Sequence, residues 1–455
     1  MSHFLTFDLG TTLFKVALFD HSGRLLAVTR TPPQVLHPKP GWWELDPRGF
    51  PRTLIDATRE LREASGSGFD EVIAVSFATQ ANSFVLLGER DEALTPIVLW
   101  PDERAAALKD ELDAIGARES FRDRTGMPRF GPALGLAKVL RWKHQNPQLI
   151  EQTRRFCYLS DLLTLWMTGR HVTEGGVAGL SGAMNVKAFD WWDEILGALG
   201  LEQAQMAALA RAGTDLGIVR EELASEIGLP PSCRFIVGCL DQYAGAIGTG
   251  TVEPERICET TGTVLAAVRC SDRFESRAAG DVFQGPAFDE GKFFQMSFSS
   301  TSANLLEWYR KTLPDRAAFE ELSRLAAGAN DAVIIEPYRE GEPIESCFRN
   351  VRPEHSAGQV VRGIMRCVAE ALKRQILSLS PTIPPVIRSA GGAARSDVWL
   401  QIKADVLGTT FEAIDCEEPT SMGAAMLAAR AITGRNMNEL ARDWVRVRET
   451  FTPKS

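Results

Sequence analysis

The sequence predicts an α/β protein of two lobes that face each other across a cleft. Three observations carry that expectation. Short apolar strands joined by a polar Gly/Thr turn open the chain and recur near residue 257. Apolar residues at helical spacing alternate with such strands. The 455 residues also exceed one ordinary core of roughly 100 to 200 residues. The division is expected between residues 1–249 and 250–455.

Apolar runs at 4–7, 16–19 and 25–28 are separated by a Gly-Thr-Thr turn and by His21-Ser22-Gly23, which predicts a β-meander. A helix over about 51–63 follows, then strands at 72–77, 84–87 and 97–100, and helices dominate to about 210. Near Phe235 the pattern returns to strand and runs into Gly238-Cys239-Leu240-Asp241, with a tightly packed small-residue helix over 244–250. The segment 257–268 is a second strand-turn-strand unit. Val361, Ile364, Met365, Val368, Leu372, Ile376 and Leu379 then mark one face of a long core helix over 358–379. It leads through the proline-rich 381–385 turn to a strand at 386–390, a Gly-Gly turn and a helix over 396–407.

Composition removes several function classes. Fifty Lys and Arg against 59 Asp and Glu give a formal charge of -9, and no basic run is long enough to neutralise a nucleic-acid backbone. The eight cysteines lack C-x-x-C pairs and zinc-ligand spacing, which fits reduced thiols in a cytoplasm. The opening residues lack a basic flank and a sustained apolar stretch, and no run of 18 apolar residues occurs. Neither a signal peptide nor a membrane partner is expected, and a homodimer is left open.

Candidate chemistry sits at the turns. In Asp8-Leu9-Gly10-Thr11-Thr12-Leu13-Phe14-Lys15 the glycine lets backbone N–H groups approach phosphate oxygens, the hydroxyls add donors, Asp8 suits Mg²⁺ and Lys15 offsets phosphate charge. Glu259-Thr260-Thr261-Gly262-Thr263 repeats the idea in the second half. Each turn alone also reads as plain turn chemistry. Asp241, between a strand and a helix, reads as a helix cap or as a general base. Gly391-Gly392-Ala393-Ala394-Arg395-Ser396 leaves room for an adenosine against bare backbone, with Ser396 capping the next helix. Trp42 and Trp43 with Glu44 and Asp46 suit a sugar ring, although packing is the better expectation for one of the indoles.

Taken in order, these segments resemble the FGGY family of carbohydrate kinases over nearly the whole chain. The motifs are D-L-G-T-T-x-x-K from Asp8, the Trp43 to Pro47 segment, L-W-P-D-E-R from Leu99, G-C-L-D-Q from Gly238, T-T-G-T from Thr260, the long glycine-containing stretch from Ser389 to Gly408, and E-P-T-S-M-G-A-A from Glu418. The resemblance implies two actin-like, ribonuclease H-like domains with ATP in the cleft and Mg²⁺ at Asp8 and Asp241. It implies Asp241 as the base. Asp8, Gly10, Thr11, Thr12, Lys15, Thr261, Gly262 and Thr263 would hold phosphates, and Gly391, Gly392, Ala393 and Ser396 would border adenosine.

On the sugar side the resemblance points to Gln80, Ala81, Asn82, Asp102, Asp241 and Gln242, nearest the xylulokinase-like branch. There the pattern departs: Q-M-H-G is here Gln80-Ala81-Asn82-Ser83, and W-N-D is Trp100-Pro101-Asp102. The expected reaction is ATP-dependent phosphorylation of a small sugar or polyol, with a five- or six-carbon ketose or polyol favoured over glycerol. Two other readings share the fold: a nucleotide-driven binding or assembly module, and a catalytically silent sugar sensor.

Overall fold

The computed structural model describes residues 2–276, 280–314 and 316–454. Each half is built on a mixed sheet. In the first, the strands His3–Leu9, Phe14–Phe19 and Leu25–Thr31 form the expected antiparallel meander. Val72–Thr79 lies parallel to the opening strand, Arg234–Ile236 lies parallel to Val72–Thr79, and Asp215–Ile218 closes the edge antiparallel.

The second sheet repeats this order. Ile257–Thr261, Leu265–Ser271 and Phe293–Ser299 make the meander, Val386–Ala390 and Thr410–Ile414 add in parallel, and Val447–Phe451 closes antiparallel. An extra strand, Phe283–Pro286, extends the far side. The edge strand precedes its neighbour in sequence in the first half and follows it in the second. Five strands therefore share order and direction, which is the pair of actin-like domains expected.

The helices form where the periodicity placed them. Gly49–Ser65 covers the first sheet and Ala357–Leu379 the second. Strand alternation sets which residues meet them: Leu5, Phe7 and Leu9 join Leu54 and Leu61 in one core, and Ile257 and Leu265 join Ile364 and Leu372 in another. Each such fully buried side chain contributes about 2 kcal/mol. The strand expected over 97–100 is only Ile97–Val98, since the chain turns after Leu99, whose carbonyl accepts from the Asp102 N–H. It belongs to a small sheet with Glu44–Leu45, Phe84–Leu87 and Arg155–Tyr158.

The opposite faces of both sheets share a third core. Phe4 and Ala17 from the first sheet and Cys258 and Val268 from the second meet there with two helices, Asp241–Gly248 and Pro419–Thr433. Pro419–Thr433 comes from the second half yet packs on strands His3–Leu9 and Val72–Thr79 of the first. The two helices cross at glycine. A Cβ on Gly248 would stand 1.8 Å from the Pro419 carbonyl oxygen, and one on Gly423 would stand 1.9 Å from that of Ala244. No larger residue fits without separating the helices. Among the described residues no helix is long and apolar enough to cross a membrane.

Candidate active site

The ends of the central strands of the first sheet bring two carboxylates together. Asp8 pairs with Ala78 in the parallel register, and Ala78 pairs in turn with Cys239 of the short strand Cys239–Leu240. Gly238 permits that approach, because a Cβ there would lie 1.6 Å from the Phe77 carbonyl oxygen. The chain then turns at once into the helix whose first residue is Asp241. Leu240, not Asp241, occupies the cap position, so the cap reading of Asp241 fails by one residue. Its Oδ1 accepts a 2.7 Å hydrogen bond from the Gln242 backbone N–H. Cys239 is a buried small side chain, and all eight cysteines are free.

Both carboxylates line a cleft of about 310 Å³ together with Gly10, Lys15, Gln242 and Gly391. Burial, followed by the negative charge of Asp8, pushes the Asp241 pKa up to about 7. Burial also raises that of Asp8, against the pull of Lys15. Lys15 stands directly opposite Asp8 in the hairpin register, with its Nζ 3.2 Å from Asp8 Oδ2. Burial would lower its pKa, but Asp8 and Glu418 outweigh burial and raise it.

The second hairpin divides by strand alternation. Thr260 faces the cleft, whereas Thr261 points into the core. The Thr261 hydroxyl donates to Glu259 Oε2 at 2.7 Å and accepts from Lys403 Nζ at 2.9 Å. Lys403 also meets Glu259 Oε1 at 2.7 Å, and the Ser389 hydroxyl bonds the same oxygen. The Thr261 hydroxyl is thus taken up by Glu259 and Lys403, and the hydroxyl that faces the cleft is that of its neighbour Thr260. Gly262 and Thr263 are exposed on the turn, and nothing stands within 4 Å of a Cβ built on Gly262.

Gly391, with φ +85°, and Gly392 are equally open. Ala393 is buried beneath them. Ser396 caps the helix Asp397–Leu407 as expected, accepting from the Trp399 N–H, and its hydroxyl also bonds Ser323 at 2.9 Å. Thr12 is exposed at the first turn. The Thr11 hydroxyl already donates to Gln80 Oε1 at 3.2 Å and accepts the Trp100 indole N–H at 2.8 Å.

The sugar-side residues are held by the protein itself. Gln80 is buried, and its Nε2 donates to the Gly10 carbonyl at 3.2 Å, so it braces the first turn. Asn82, at φ +63°, donates to the Leu180 carbonyl and accepts from the Gly135 N–H, both at 3.1 Å. Ala81 lies between them, half-buried. Asp102 is buried with both oxygens used by Arg104 and the Trp43 N–H, and Arg104 holds its carboxyl below the ordinary range against the opposing effect of burial. Asp102 thus supports the loop and offers no free acceptor. Trp42 is covered by Arg104, 4.1 Å from its ring centre, and Trp43 packs edge-on against His37. Neither indole lines the cleft.

Glu418, Thr260 and Thr420 also line the cleft; the sequence placed Thr260 in the second turn and Glu418 and Thr420 in the E-P-T-S-M-G-A-A motif without giving any of the three a role of its own. The signal for Glu418 was present. It fills a helix cap position ahead of Pro419 without using its side chain as a cap.

Comparison with known proteins decides the family. The N-terminal domain of the FGGY family of carbohydrate kinases matches residues 3–248 and the C-terminal domain matches 257–432. This chain belongs to the FGGY family of carbohydrate kinases. It is 25% identical to xylulose kinase of Bacillus subtilis, over all of this chain and 93% of that one. It is 22% identical to gluconokinase of the same organism, over 95% of this chain and 88% of that one. The crystal structure of xylulose kinase from Rhodospirillum rubrum, 22% identical, shares its fold with a TM-score of 0.88 over 99% of this chain and 94% of that one. The FGGY chain is thus a sugar kinase on an actin-like scaffold.

Proposed function

We propose that this FGGY kinase transfers the γ-phosphoryl group of ATP to a hydroxyl of a small sugar or polyol, with Asp241 as general base. The observation that carries this reading is the meeting of Asp241, Asp8 and Lys15 at one end of the central strands, inside a cleft bordered by bare glycine backbone. Phosphoryl transfer asks the protein mainly for positioning and charge stabilisation. Asp241 takes the proton as the substrate oxygen bonds to phosphorus. Its raised pKa suits a base working near neutral pH. Gly10, Thr12, Thr260, Gly262 and Thr263 lie on the turns that offer donors to phosphate oxygens, and Gly391 and Gly392 border the adenosine. Gln242 is the polar side chain on the acceptor side.

The donor set fits a magnesium nucleotide. Two coupled carboxylates, Asp8 and Asp241, are acceptors suited to a hard cation. Magnesium commonly takes only one or two protein carboxylates and completes its shell with substrate phosphates and water. Asp8 and Asp241 would hold it, and the ion would neutralise charge on the phosphates.

Relatives named for xylulose and gluconate make these and other five- and six-carbon sugars, sugar acids and polyols the panel to test, with ADP release as readout. Asp241→Asn should lower turnover on the accepted substrate about 10²- to 10⁴-fold and leave ATP affinity nearly intact. Full turnover in that variant would remove Asp241 from the mechanism.

A further inference from the structure

Glu418 belongs to the second half of the chain, and its carboxylate spans to the first. Its Oε2 lies 2.8 Å from Lys15 Nζ. Its Oε1 accepts from Arg30, at 3.0 Å from Nε and 2.7 Å from Nη2. Lys15 and Arg30 are themselves direct partners across adjacent strands, so two neighbouring cations share one carboxylate. Glu417 adds a second contact to Arg30 at the rim.

Nothing local explains a glutamate here. At a helix cap Ser, Thr, Asp and Asn are preferred because their short side chains reach the first free N–H groups. Glu418 bonds none of them. It is 5% exposed, so its charge is kept from water and must be matched by fixed partners. Its place is also fixed relative to Asp241. The helix it begins crosses the Asp241 helix at Gly248 and Gly423, too closely for one to slide freely along the other.

We propose that Glu418 is a positioning residue that holds the Lys15 ammonium beside Asp8, facing the phosphates, and so sets Lys15 at a fixed offset from Asp241. This rests on the kinase reading for the identity of the phosphate ligand. Arg30 orients Glu418 by occupying its other oxygen. The chain of contacts joins the general base and the phosphate-binding cation through the helix pair, a route separate from the stretch of chain that runs from one to the other.

The test is a double-mutant cycle on the full chain. Wild type, Lys15→Gln, Glu418→Gln and the double variant are titrated calorimetrically with a non-hydrolysable ATP analogue and Mg²⁺. Glu418→Gln should weaken binding about tenfold alone and less than about twofold in the Lys15→Gln background, since its effect runs through Lys15. Equal losses in both backgrounds would assign Glu418 a structural role and overturn the proposal. Tighter binding in Glu418→Gln would overturn it too, because Glu418 would then compete with phosphate for Lys15. Glu418→Asp keeps the charge on a shorter arm and should recover part of the loss. If thermal melts show that Glu418→Gln does not fold, Arg30→Gln takes its place in the same cycle, with a smaller loss expected. Sugar-stimulated turnover of the wild type is measured alongside. A silent wild type would end the kinase reading and leave the affinity cycle readable, whereas an active wild type with additive affinities would end the positioning proposal alone.

Discussion

The two hairpins that open the two halves share a backbone and differ in chemistry. In the first, the paired positions at the end of the strands are Asp8 and Lys15. In the second, the pair in the corresponding place is Thr260 and Ala266. The first hairpin turns its charges into the cleft. The second keeps its charged residue, Glu259, on the opposite face, sealed against Lys403 and Thr261 with no exposure at either end of the ion pair. One fold thus carries an ion pair that lines a cleft and another that braces a core, separated by a one-residue step in strand alternation.

That contrast can be broken from either side, and the largest effect is expected on the buried pair. Lys403→Met should cost about 3–5 kcal/mol of stability, since it strands the Glu259 carboxylate in the core, and thermal melts will show it. Lys403→Met combined with Glu259→Gln should regain most of the loss, as no charge is then left unpaired. On the cleft side, Asp8→Asn should leave the melt nearly unchanged and lower turnover about 10²- to 10³-fold, the scale of removing one electrostatic contact to a reacting group. A melt shift as large as that of Lys403→Met would show that the first hairpin is braced like the second. Thr260→Val, which removes a single neutral hydroxyl from the cleft, should cost turnover only about tenfold or less.

The smallest effect concerns pH. Asp241 has a folded pKa near 7, above its ordinary carboxylate value, so the folded chain binds more protons there than the unfolded one between about pH 4 and 7. Its contribution to stability is present at low pH and is lost as pH rises through 7. Asp241→Asn should therefore melt higher than wild type at pH 8, by about 2 °C, and lose that advantage near pH 4. An advantage that persists at pH 4 would place the cause outside this carboxyl group.

Much of the fold was legible because it is encoded locally. The meander, both hairpins, the long helix Ala357–Leu379 and the Ser396 cap follow from period, turn residues and cap chemistry over short stretches. That Asp8, Lys15, Asp241 and Gly391 line one cleft was legible for the same reason, since each lies within two residues of the end of a strand, a turn or a helix start. The sugar side was less so. Gln80, Asn82 and Asp102 look like ligands in sequence, yet their partners are Gly10, Leu180, Gly135 and Arg104. Whether a polar side chain faces a substrate or its own protein depends on what packs against it.

What the sequence determined by itself was the order of elements, the two Gly/Thr turns and the family. Tertiary structure alone decided that Thr260 rather than Thr261 faces the cleft, that a helix from the second half lies on the first sheet, and that Glu418 meets Lys15 from 403 residues away. The physical reason is range. Propensity and period act over a few residues, whereas an ion pair between lobes exists only once both sheets have packed on the two glycine-crossed helices between them.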